Sequence, residues 1–121
     1  IDLQSFEALH GLALLRRNYL HDGGGALELY VRALALRPRD VHLLVNYAAA
    51  LDDRAEAERV LRGAVEIDPA NIYALAALGS ALDHVTGNVT AGDEWFERAL
   101  AVREVQDMAR HIEEAGTAFF P

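Results

Sequence analysis

The chain has 121 residues and a formal charge of −8, with 19 acidic residues, 11 basic ones and no cysteine. That length supports one domain with a continuous core, and the acidic balance argues against a surface that neutralises nucleic-acid phosphates. Without cysteine there is neither a disulfide framework nor a thiolate site, and no run approaches the roughly 18 apolar residues needed to cross a bilayer. The apolar content of 52% is rich in alanine, a strong helix former, so an all-α chain is expected. A start at Ile1 rather than Met fits a piece of a longer protein, so missing targeting signals carry no weight. The lack of cysteine is compatible with a reducing compartment, and a cytoplasmic location is expected.

In chain order, Asp2 to Leu20 carries apolar residues at Leu3, Phe6, Leu9, Leu12, Ala13 and Leu15, which predicts a helix. The run His21-Asp22-Gly23-Gly24-Gly25 is expected to stop it, since consecutive glycines make a helix entropically costly. A second helix is predicted over Ala26 to Leu36, ended by Arg37-Pro38-Arg39, with Asp40 placed to cap the next. Val41 to Leu51 is apolar on almost every side and reads as a helix buried on two faces. Asp52-Asp53 offers a cap for Arg54 to Ile67, where Ala57, Val60, Leu61, Ala64 and Val65 recur at spacings of three and four. Asp68-Pro69 closes that helix, because Pro69 disfavours helical backbone at Asp68. Ile72 to Leu82 is the fifth helix, with a turn over 85–90. The last starts near Thr90 or Ala91 and meets no obvious breaker before Gly116.

The six helices form three hairpins whose small and large residues superpose. The second helices carry Ala26, Tyr30, Ala33, Pro38; then Ala57, Leu61, Ala64, Pro69; then Gly92, Phe96, Ala99, with Glu104 where proline would fall. The first helices of the second and third hairpins carry Leu44, Tyr47, Ala48, Leu51 and Leu75, Leu78, Gly79, Leu82. This pattern resembles the tetratricopeptide repeat family over roughly Leu9 to Val102, most specifically in the second helices. The small residues let helix backbones approach while their large partners fill the space between hairpins. The resemblance implies a right-handed superhelical array of antiparallel hairpins forming one domain over 1–121. Its repeats would span about 6–39, 40–71 and 72–104, followed by a C-terminal extension over 105–121.

The resemblance also implies a protein-interaction module that binds a peptide or helix along the first helices of the hairpins. Carried over, the groove positions are His42, Val45, Asn46 and Ala49, then Tyr73, Ala76, Ala77, Ser80 and His84, with Glu7, His10, Leu14 and Arg17 aligned more loosely. Asn46 stands out because an amide can donate to a peptide carbonyl and accept from its N–H. Family members that clamp the C-terminal carboxylate of chaperone tails use lysines; here those positions hold Tyr73 and Ala77 and the chain has no lysine, so that ligand class is rejected. The five histidines never fall three or four apart on one helix, so neither a metal site, a cofactor nor an enzyme activity is expected. Trp95, Phe96, Met108 and Ile112 read as a core or capping stripe. Phe119 and Phe120 near the terminus suggest the alternative role, self-association as a scaffold within a larger assembly.

Overall fold

The computed structural model describes residues 5–119, with side chains as far as Gly116. The fold is all-α: α1 (Phe6–Asn18), α2 (Gly23–Leu36), α3 (Val41–Ala50), α4 (Arg54–Ile67), α5 (Ile72–Thr86) and α6 (Asp93–Phe119). Neighbouring helices pair as hairpins, α2 and α4 pack against the helix that follows each, and α3 also touches α1 and α5. The result is a right-handed solenoid in which α3 is the most surrounded element.

Local chemistry sets where the helices begin. Asp40 and Asp53 cap α3 and α4, Asp40 by accepting from Leu43 N–H at 3.0 Å, and Asn71 caps α5 through Ala74 N–H at 3.0 Å. Three expectations need correction. First, Gly23–Gly25 does not separate α1 from α2 but forms the first turn of α2; the expected start of α1 at Asp2 lies outside the described residues, where Ser5 caps the helix from Phe6. The reason is Asp22, whose carboxylate accepts from Gly25 N–H at 3.0 Å and pairs with Arg16 at 2.9 Å, so capping outweighs the entropic cost of the glycines. These bonds, the Gly25 N–H first and Arg16 next, hold the Asp22 carboxyl below its ordinary pKa. The break falls at 19–22, where His21 takes a left-handed backbone with φ 51°. Second, α5 runs past Leu82 to Thr86, whose hydroxyl donates back to Leu82 C=O at 2.8 Å, and it ends at Gly87 in the left-handed region. Third, α6 begins at Asp93, later than expected, and passes Gly116 without a break.

The core runs along the hairpin joints. Tyr30, Leu9, Leu43, Leu75 and Leu78 are its largest fully buried side chains, and Ala13, Ala26, Ala33, Ala48, Ala57, Ala64 and Ala74 are buried between them. At the last hairpin the two glycines meet. A Cβ on Gly92 would lie 2.1 Å from the Gly79 carbonyl oxygen, so α5 and the start of α6 cross with their backbones in contact. Asp83 accepts from Gly92 N–H at 2.7 Å and fixes the entry to α6. Trp95 lies half-buried between the guanidinium groups of Arg98 and Arg62, at 4.6 and 5.9 Å from its ring. Met108 and Ile112, expected in the core or cap, are instead 63% and 67% exposed, because α6 packs mainly on α5 and outruns it. Phe120 lies outside the described residues, as does the side chain of Phe119.

Candidate functional site

The face built by α1, α3 and α5 carries two clefts that share Val45. The first, of about 300 Å³, is lined by His42, Val45, Asn46 and Tyr73. Its rim is a ring pair, His42 and Tyr73, with centroids 6.2 Å apart and the planes tilted by 47°. Tyr73 is 68% exposed, a high value for an aromatic ring with no cover of its own. The second cleft, of about 150 Å³, has a floor of small and aliphatic residues, including Val45, Ala49, Ala77 and Ala81, with Ser80, His84 and Arg54 at its edge. The ring nitrogen Nδ1 of His84 stands 2.9 Å from the Ser80 carbonyl one turn earlier, which orients the imidazole along α5.

The eight residues His42, Val45, Asn46, Ala49, Tyr73, Ala77, Ser80 and His84 therefore all line one cleft or the other. Helix periodicity puts them on one face, since α3 and α5 present positions i, i+3, i+4 and i+7 outward from the hairpin joint. Ala76 lines neither cleft. What sequence reasoning missed is the share of α4: Arg54, Ala57 and Leu61 form one wall of the second cleft. No local pattern in the sequence marks them, because they reach the site from the neighbouring helix.

Asn46 is also tied to the scaffold. Its Nδ2 stands 2.9 Å from His10 Nε2, an acceptor when the imidazole is neutral with its proton on Nδ1. Burial lowers the pKa of His10 and favours that neutral form; Asp40 opposes the shift and His42 adds to it. His10 in turn touches the rings of Phe6 and Tyr30, at 5.5 and 6.3 Å between centroids. Of the other loosely aligned α1 positions, Glu7 pairs with Arg37 at 3.0 Å and so belongs to the joint between α1 and the end of α2. Among the described residues there is no group of three or more histidines, aspartates or glutamates arranged to hold a metal ion, and no helix is long and apolar enough to cross a membrane.

Six helices in antiparallel pairs, small residues at each crossing and an open face along the first helices define a tetratricopeptide-repeat fold. Solved structures agree. The chain aligns with the crystal structure of MamA at a TM-score of 0.74 and 22% identity, over 88% of this chain and 63% of that one. It aligns with the first TPR of Spaghetti (RPAP3) bound to the HSP90 peptide SRMEEVD at 0.73 and 21%, over 95% and 98% of the two chains. For the Sgt2 TPR domain from Aspergillus fumigatus the values are 0.72 and 22%, over 96% and 84%. The chain spans 63% and 59% of the two MamA chains it matches. No family model matches the chain, and no curated protein does.

Proposed function

We propose that this domain, taken as three repeats over 6–39, 40–71 and 72–104, binds a segment of a partner protein along α3 and α5. The observation that carries the reading is the pair of adjoining clefts sharing Val45, with the uncovered Tyr73 and His42 rings at one end. Exposed aromatic rings beside small apolar hollows are where binding energy concentrates at protein interfaces. The two clefts suit two apolar side chains of an extended or helical segment. Asn46, held by His10 on one side, has hydrogen-bonding capacity left for the ligand backbone.

The ligand differs from the one named for the RPAP3 domain, the peptide SRMEEVD, which has three acidic residues among its last four. With Tyr73 and Ala77 on α5 and no lysine in the chain, Arg54 is the one arginine among the residues lining the two clefts, against the several cations that a clamp on a terminal carboxylate uses. A mixed, mainly apolar segment fits it better. We read the domain as acting by binding: Ser80 and His84 share the second cleft, but the His84 ring nitrogen Nδ1 stands 2.9 Å from the Ser80 backbone carbonyl.

Selection of displayed peptides against the whole chain, followed by fluorescence polarisation with the enriched sequences, tests the reading. Tyr73→Ala should weaken binding about tenfold or more, and Ala49→Arg, at an exposed position, should block the second cleft without unfolding the domain. Peptides that bind both variants as tightly as the parent chain would place the binding surface elsewhere.

A further inference from the structure

Among the described residues no other helix packs on the far half of α6, and its surface is patterned. Every residue from Arg103 to Gly116 is exposed apart from Asp107 and Gly116, which are half-exposed. Apolar residues nevertheless recur there at Ala101, Val105, Met108, Ile112 and Ala115, in alternating steps of four and three, the spacing of a coiled-coil seam. At 100° per residue this seam points away from Gly92, Phe96 and Ala99, the side of α6 that meets α5. At its foot Ala70, Ala101, Val102, Val105 and Gln106 line an apolar cleft of about 360 Å³. A free helical arm of about 14 residues is marginal in water on propensity alone, so a partner for the seam is expected.

We infer that the occupant is a second copy of this chain, with the two α6 arms side by side and antiparallel. A two-fold axis near Gln106 and Asp107 sets Ala101 opposite Ile112 of the second copy and Val105 opposite its Met108, small against large in each layer. Ile112 then enters the cleft beside Ala70. On one flank Glu104 comes next to His111 of the second copy, twice by symmetry. On the other, Val102, Ala109 and Gly116 are small enough to let the helices close. A parallel pair would set Ala101 on Ala101 and Ile112 on Ile112, with Glu104 beside Ala109, and would lose both complementarities. Such a contact buries on the order of 1,000 Å² in total, at the low end for specific interfaces. Each copy carries a charge of −8, which adds repulsion that salt screens. The dimer is therefore weak, and it leaves the α3–α5 face open.

The test uses the whole chain. Sedimentation equilibrium up to about 500 μM should show a concentration-dependent dimer, strengthened by salt, and Ile112→Glu should raise its dissociation constant at least about tenfold with helicity unchanged. Because the chain has no cysteine, introduced cysteines report orientation. A mixture of Ala101→Cys and Ile112→Cys chains should form a disulfide-linked heterodimer on oxidation, and neither variant alone should link to itself. A monomer at every concentration overturns the proposal. So does self-linking of each single variant, which marks a parallel pair. Association that survives Ile112→Glu overturns it too, pointing to another surface such as Phe119-Phe120.

Discussion

The backbone contact between Gly79 and Gly92 makes a demand that replacing one hydrogen by a methyl group can test. In Gly92→Ala the new Cβ would sit 2.1, 2.5 and 2.7 Å from the oxygen, carbonyl carbon and Cα of Gly79. All three are backbone atoms of α5, so no rotamer change relieves the overlap and the helices must part. Parting weakens the Phe96 contact on Gly79 and the 2.7 Å bond from Gly92 N–H to Asp83. Overpacking of this kind costs about 1–3 kcal/mol and a weakened buried hydrogen bond about 1 more, against a gain of about 1 for replacing glycine. The net expectation is about 1–3 kcal/mol of destabilisation. Gly79→Ala meets the edge of the Phe96 ring at 2.9 Å and the Gly92 carbonyl oxygen at 3.0 Å, so it should cost less, and Phe96→Leu should partly rescue it. The same Phe96→Leu change should not rescue Gly92→Ala. Gly63→Ala, inside α4 with open space around it, should stabilise by about 0.5–1 kcal/mol. Urea unfolding followed by circular dichroism and by the single tryptophan, Trp95, three residues into α6, would read both the whole fold and this hairpin. If Gly92→Ala stabilises the chain as Gly63→Ala does, the helices are not in contact and the reasoning fails.

Three further expectations follow from particular side chains. Tyr30 is fully buried, and its hydroxyl has no well-formed hydrogen bond; burial raises its pKa while the nearby Arg17 works against that rise. Tyr30→Phe should therefore be neutral or stabilising by up to about 1 kcal/mol, and a large loss in a urea titration would show that the hydroxyl has a partner. His10 has a folded pKa below its ordinary 6.5, so the unfolded chain binds the extra proton more readily. Its contribution is complete above about pH 6.5 and is lost as the pH falls below that value, so the urea midpoint should drop between pH 7 and 5 and His10→Gln should flatten this part of the profile. Asp22 and Glu7 have depressed pKa values, Asp22 mainly through the Gly25 N–H and then Arg16, Glu7 mainly through its own backbone N–H and then Ser5. Their contributions hold above the ordinary carboxylate pKa and vanish as the pH falls further, which Asp22→Asn should reveal as a weaker acid transition.

Much of this fold is legible residue by residue, and the exceptions have physical causes. Pro38, Pro69, Asp40 and Asp53 announce their helix boundaries because each acts within one turn of the chain. The triple glycine misleads because intrinsic propensity is weak beside a charged cap, and Asp22 supplies both the cap and an ion pair to the preceding helix. Thr86 misleads in the opposite sense: a β-branched residue near a glycine suggests a turn, but its hydroxyl bonds back to Leu82 and the helix continues to Gly87. On the candidate site, the positions taken from α3 and α5 come together in two clefts because helical periodicity needs no tertiary knowledge. The wall from α4 and the bond from Asn46 to His10, 36 residues away, depend on how helices assemble. Met108 and Ile112 illustrate the same boundary. Periodicity reveals that one side of α6 is apolar, whereas only the assembled fold reveals that this side is bare.

The length of α6 has a mechanical consequence. At about 1.5 Å per residue its 27 residues make a rod of about 40 Å, fastened near one end where Gly92 lies on Gly79. A sideways load at the free end is borne as torque on that glycine crossing, which has no side chain to cushion it. Tension or a bulky cargo attached beyond residue 116 would pry open the α5–α6 hairpin first and leave the earlier repeats standing. The joint that tolerates no added methyl group is thus also the fulcrum of the molecule.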